Sequence, residues 1–124
     1  MCKSKVLILG MSNDEKRNSF LASRYLQNIG HSIIVVPLNQ TTMNAIQPNE
    51  ILDDSNCLKT IEKISIYLPP IRQKKFYKTI LELKPKRIIF NPGYENLELA
   101  SLAKKQNIET YFGCTIALFS MGAI

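Results

Sequence analysis

Histidine is almost missing from this chain: His31 stands alone, and tryptophan is absent. A single imidazole does not complete a zinc set with Cys2, Cys57 and Cys114, which are widely spaced and form no C-x-x-C pair. Their odd number argues against a secreted disulfide framework and for free thiols in a reducing compartment. No apolar run approaches the ~18 residues that a membrane span requires. The opening MCKSKVLILG lacks a small-residue cleavage site, and its apolar part is shorter than the ~7–15 residues of a secretory leader. A cytoplasmic protein without membrane association is therefore expected. Glycine and proline are few, at five and six. No repeat or low-complexity tract appears, so one ordered domain over residues 1–124 is expected.

The scarcity of glycine matters most in VLILGMSNDEKRNSF, Val6 to Phe20, where an apolar stretch enters a polar turn. A dinucleotide loop G-x-G-x-x-G would need glycine where Ser12 and Glu15 stand. The acid that such a fold uses for the ribose is missing too, because the second strand ends Pro37-Leu38-Asn39. A Walker loop occurs nowhere. What remains is Gly10, which lets the chain turn, followed by a helix start whose free N–H groups favour an anion. Ser12, Asn13 and Ser19 can donate hydrogen bonds there, and Lys16 and Arg17 add charge. By residue type alone this is either a phosphate site or a tight turn. If it is a phosphate site, Gly10→Val is expected to abolish binding, with the fold surviving if the core tolerates the branch.

Apolar residues make up 45% of the chain, and their spacing alternates between strand and helix. Continuous runs predict strands at Lys5–Gly10, Ser32–Pro37, Ile64–Leu68, Arg87–Asn91 and Ile108–Phe112, with a short edge strand around Met43–Ile46. Helical spacing predicts a helix capped by Asn18 or Ser19 and stopped by Gly30. A second is expected from Ile71 to Lys84, and a third is capped by Asn96 and runs to Gln106. This alternation gives an α/β fold: a Rossmann-like, doubly wound parallel sheet of five to six strands, ordered like 3-2-1-4-5-6, in a single three-layer domain. Ligands of such sheets bind at the carboxyl ends of the strands. Those ends are Gly10-Met11-Ser12, Pro37-Leu38-Asn39, Leu68-Pro69-Pro70 and Asn91-Pro92-Gly93.

The net charge of +6 concentrates in Arg72, Lys74, Lys75, Lys78, Lys84, Lys86 and Arg87, opposed by Glu82. A solvated helix face accounts for this. No aromatic-interleaved motif accompanies it, so nucleic acid is not an expected partner. Nor does a catalytic set emerge. His31 lies at the far end of the sheet, Asp14 and Glu15 belong to an exposed turn, and Cys114 has no histidine near it in sequence. The tail Cys114–Ile124 is strongly apolar and is expected to be mostly buried, within the chain or in a homodimer.

The segments VLILGMS, NSFLASRYLQNIGHSIIVVPLN, ISIYLPP and RIIFNPGYENLELASLAKKQNIE together resemble the CoA-binding domain family. This is the small Rossmann-like domain akin to the N-terminal domain of the succinyl-CoA synthetase α-subunit. The G-x-S loop corresponds to Gly10, Met11 and Ser12, and the loop-to-helix serine to Ser19. The P-x-N motif falls on Pro37, Leu38 and Asn39, the apolar-Pro-Pro turn on Leu68, Pro69 and Pro70, and the turn before the last helix on Asn91, Pro92 and Gly93. Glu15, Phe20 and Gln40 depart from the family pattern. The resemblance implies coenzyme A or an acyl-CoA as ligand. Its phosphates would lie against the first loop, adenine near Pro37–Asn39, and pantetheine would pass Pro69 and Asn91. A non-catalytic binding module is the leading expectation. A protein-interaction or structural module that keeps the fold without nucleotide is the alternative.

Overall fold

The structure, a computed structural model, describes residues 5–12, 14–37 and 61–124. Strand β1 spans Lys5–Met11, helix α1 Asn18–Asn28, β2 Ser32–Pro37 and β3 Ile61–Ile66. Then follow α2 at Pro70–Gln73, a 3₁₀ turn at Lys74–Phe76, α3 at Tyr77–Leu83, β4 at Arg87–Phe90, α4 at Leu97–Lys105, β5 at Glu109–Phe112 and α5 at Thr115–Ser120. The five strands run parallel in the order β2-β1-β3-β4-β5. This is the expected order; the edge strand expected around Met43–Ile46 lies outside the described residues. Among the described residues no helix is long and apolar enough to cross a membrane.

The alternation of side chains along a strand builds the three layers. Leu7 and Leu9 of β1 join Ile64, Ile66, Ile88 and Phe90 on one face, where Phe76, Ile80 and Leu99 from the helical segments α2–α3 and α4 cover them. Val6 and Ile8 point the other way, towards Ala22 and Leu26 of α1, with Ile116 and Phe119 of α5 alongside. The β1 side chains Leu7, Ile8 and Leu9 are fully buried, which is why this strand reads as a continuous apolar run.

Several boundaries differ from the sequence expectation. Helix α1 is preceded by Arg17 in an extended conformation with no side-chain cap, so neither Asn18 nor Ser19 caps it; the Ser19 hydroxyl is occupied elsewhere. Gly30 does end it: at φ +96° it lets the His31 amide reach Leu26 O at 2.9 Å. The strand expected at Ile64–Leu68 lies two to three residues earlier, because its ladder with β1 ends at the Leu9–Ile66 pair. The single helix expected from Ile71 to Lys84 is interrupted by the 3₁₀ turn, and Lys84 closes α3 in the left-handed conformation. Asn96 caps α4 as expected, accepting from the Leu99 amide at 3.1 Å. The tail is less buried than expected. Thr115 is enclosed, but Ile116, Ala117, Leu118 and Phe119 are half-buried and Met121 is 70% exposed, because the six-residue α5 presents only one side to the sheet and α1.

Gly10 sits at an irregularity in the β1–β2 register, with φ +96°. A Cβ there would lie 2.7 Å from Tyr67 O and 2.9 Å from Tyr67 C, both backbone atoms. The glycine is required by the packing of β1 against the chain leaving β3. The condition on which Gly10→Val was expected to spare the fold, that the core tolerates the branch, is therefore not met. Gly10→Ala should cost roughly 2 kcal/mol or more in a denaturant melt, from left-handed strain and overpacking together. A variant that melts like wild type would show that the backbone at Tyr67 yields easily.

Candidate functional site

A cleft of about 460 Å³ opens at the carboxyl edge of the sheet. It lies where the chain leaves β1 towards one face, into α1, and leaves β3 towards the other, into α2. This is the topological switch point at which open α/β sheets bind ligands. One end is the turn into α1, supplied by Gly10, Ser12, Asp14, Lys16, Arg17, Asn18 and Ser19; the other end is supplied by Tyr67, Asn91, Pro92, Tyr94 and Cys114.

The turn is held by its own hydroxyls. Ser19 Oγ accepts from the Ser12 amide at 3.0 Å, Ser12 Oγ from the Asp14 amide at 3.1 Å, and Asp14 Oδ1 from the Lys16 amide at 3.0 Å. Ser12 and Ser19 are 9% and 4% exposed, and neither donates its hydroxyl proton to any described residue. Helix α1, of which Ser19 is the second residue, begins without a side-chain cap and without an acid in its first turn. The arrangement collects unused donors beside the positive end of an eleven-residue helix, with Lys16 and Arg17 exposed at its rim. Its chemistry suits an anion.

The opposite end rests on a closed ring of hydrogen bonds. Asn91 Nδ2 donates to Ser65 Oγ at 3.0 Å and to Ile66 O at 3.0 Å. Asn91 Oδ1 accepts from both the amide and the hydroxyl of Thr115, each at 2.9 Å. Ser65 and Thr115 hydroxyls meet at 2.6 Å. With the Thr115 proton committed to Asn91, Ser65 is the donor of that last bond. A second buried residue, Gln73, ties the two proline turns together. Its Nε2 donates to Leu68 O at 2.7 Å and Tyr94 O at 3.0 Å, and its Oε1 accepts from Asn96 Nδ2 at 2.9 Å.

Of the residues singled out from sequence, the cleft brings together Gly10, Ser12, Ser19, Asn91 and Pro92. Met11, Leu68, Pro69, Pro70 and Gly93 stand outside its wall; Leu68 is in the core, and Pro69, Pro70 and Gly93 are exposed. Pro37 ends β2. Asn13, Leu38 and Asn39 lie outside the described residues. The Asn91 side chain is fully engaged inside the protein, so it shapes the wall and has no hydrogen-bonding capacity left for a ligand. Sequence reading missed Tyr67, Tyr94 and the ring partners Ser65 and Thr115. Ser65 carried a signal, as a serine within the apolar run of β3. The basic cluster from Arg72 to Arg87 does not line the cleft. Three of its members are in exposed ion pairs, Lys78–Glu82, Lys86–Glu62 and Arg87–Glu109. Nor does His31 line it; its ring lies edge-on to Phe119, 5.1 Å between centroids.

A family model for the CoA binding domain matches residues 4–119. No curated protein matches the sequence. Over the whole of both chains, the fold is similar to the crystal structure of an uncharacterized protein, at 32% identity and a TM-score of 0.81. A protein from Thermus thermophilus shares the fold at 14% identity and a TM-score of 0.74, over 96% of this chain and 90% of its own. So does a hypothetical protein from Pyrococcus horikoshii OT3, at 14% identity and 0.73, over 96% and 83% respectively.

Burial raises the Tyr67 phenol above its ordinary value of 10, against the opposing effect of hydrogen bonds to Thr115 and Ser65. A raised folded-state pKa contributes stability that is fully present below pH 10 and is lost as pH rises through the folded value. At neutral pH, Tyr67→Phe should cost about 0.5–1.5 kcal/mol for the lost hydrogen bonding. Above pH 10 the wild-type advantage should shrink. Urea melts of both proteins across that range measure it, and a constant difference would refute the assignment.

Proposed function

The chain belongs to the CoA-binding domain family, and from this we propose that it is a non-catalytic binding module for coenzyme A or an acyl-CoA. The supporting observation is the turn into α1. Two nearly buried serines whose protons go to no described residue, and an uncapped helix end, face one cleft at the switch point of the sheet. In this reading the phosphates lie against Ser12, Ser19 and the first amides of α1. Pantetheine crosses the strand ends past Asn91 and Pro92, and adenine lies towards the end of β2 at Pro37.

Energetics favours the loop over the exposed cations. Each neutral hydrogen bond from Ser12 or Ser19 adds about 0.5–1.5 kcal/mol net. Lys16 and Arg17 are solvated, and each adds about 0–1 kcal/mol. Asp14 is engaged by the Lys16 amide, and His31 precedes β2 at the opposite edge of the sheet. Coenzyme A would bring its thiol as the reactive group; the protein residues named here hold and orient it.

Calorimetric titration with coenzyme A is the test. Ser19→Ala removes both a donor to the ligand and the anchor of the Ser12 amide, so its Kd should rise about tenfold or more. Lys16→Ala should weaken binding by at most about fivefold, and by less at high salt. Absence of binding by the wild-type protein overturns the proposal.

A further inference from the structure

We propose that Tyr67 determines specificity in the cleft as a hydrogen-bond acceptor: its phenol oxygen takes an amide N–H of the pantetheine arm. This inference rests on the preceding reading of the cleft and names the residue that recognises the ligand beyond its phosphates. Tyr67 belongs to the cleft wall and is only 4% exposed. Its phenol is hydrogen-bonded to Thr115 and Ser65, and it lies within electrostatic reach of Cys114 and Tyr94, which line the same wall. A phenol can give one proton and can also accept. Which of the two it shows to a ligand is decided by the groups behind it.

Those groups have no proton to give. Thr115 Oγ1 donates to Asn91 Oδ1 at 2.9 Å, which leaves Ser65 Oγ as the donor across the 2.6 Å contact between the two hydroxyls. Asn91 Nδ2 spends both of its hydrogens, on Ser65 Oγ and on Ile66 O, each at 3.0 Å. Every side-chain proton of the ring therefore stays inside the ring. A phenol bonded to Ser65 and Thr115 can only donate to them. Its proton is directed into the protein, and its lone pairs are left for the cleft.

An outward acceptor suits one part of the ligand. The phosphates carry only acceptors at neutral pH and would set lone pair against lone pair. The pantetheine arm carries two amide N–H donors, and in the proposed binding mode it crosses this wall past Asn91 and Pro92. The acceptor is also held in place before any ligand arrives. The Tyr67 amide donates to Leu9 O at 2.8 Å, and the Tyr67 ring packs edge to face on Tyr94 at 6.1 Å. Tyr94 is in turn fixed through its carbonyl by Gln73 Nε2 at 3.0 Å. Little side-chain ordering remains to oppose the contact.

The full chain is titrated calorimetrically with coenzyme A, with its nucleotide portion lacking the arm, and with the two analogues in which one arm amide N–H is replaced by an ester oxygen. Tyr67→Phe should raise the Kd for coenzyme A about fivefold and leave that for the armless nucleotide unchanged. One ester analogue should bind the wild type about fivefold or more weakly than coenzyme A, and Tyr67→Phe should not distinguish that pair. The analogue measurements on the wild type stand whether or not the variant folds. Both analogues binding the wild type like coenzyme A overturns the proposal, as does an unchanged Kd for coenzyme A in Tyr67→Phe. An equal loss of coenzyme A and the armless nucleotide in Tyr67→Phe marks a role in folding alone and also overturns it. In each of these cases, binding of coenzyme A by the wild type keeps the parent reading. No binding of coenzyme A by the wild type overturns both.

Discussion

The Asn91 side chain is the constraint on which the cleft end of this fold depends. Its amide spans three elements: β3 through Ser65 and Ile66, the turn after β4, and α5 through Thr115. A buried amide left half-paired would cost about 1–3 kcal/mol for each unmet group, so the ring is stable only when complete. Completion fixes where the chain re-enters after β5, and thereby sets Cys114 and Tyr67 in the same wall. Gln73 does comparable work one turn away, joining the exits of β3 and β4. Together the two amides turn flexible proline-rich exits into a defined rim.

On the β1 side the constraint is steric. Gly10 brings its backbone against Tyr67 so closely that no Cβ fits. The same contact places the start of the serine-held turn beside the Tyr67 wall. In the proposed reading, close approach of a phosphate would be a secondary consequence of this glycine, whose first duty is to the sheet. One residue type serves strand packing and site geometry together, and its substitution cannot separate the two.

The layers of the fold were legible because they follow from repeated local patterns. Lys5–Gly10 and Ser32–Pro37 both read as continuous apolar runs, and both pair as parallel strands; β1 is buried on both faces, whereas β2 is half-buried with Val35 exposed. The Asn96 cap and the Gly30 stop are local chemistry too. What escaped depends on partners distant in sequence. Ser19 looked like a cap, yet its hydroxyl receives the amide of Ser12, seven residues back. Asn91 looked like a ligand contact because a polar residue at a strand end suggests one, but Thr115, 24 residues on, takes its oxygen. The 3₁₀ turn after Gln73 was hidden because Phe76, Tyr77, Ile80 and Leu81 keep a helical spacing through it. The tail was over-read: its composition is apolar, but a six-residue helix has too few turns to bury every side of itself.

The serine-held turn has a consequence for discrimination by polarity. Ser12 and Ser19 have each spent oxygen lone-pair capacity on a main-chain amide, so what they offer outward is a proton. The opening amides of α1 offer the same. If the turn receives a ligand as proposed, its hydroxyls and main-chain amides would favour an incoming oxygen with lone pairs to share, while the Asp14 carboxylate on the same wall would remain as an acceptor for a donor group. Polarity of hydrogen bonding would then be read chiefly by uncharged groups, with Lys16, Arg17 and Asp14 at the rim.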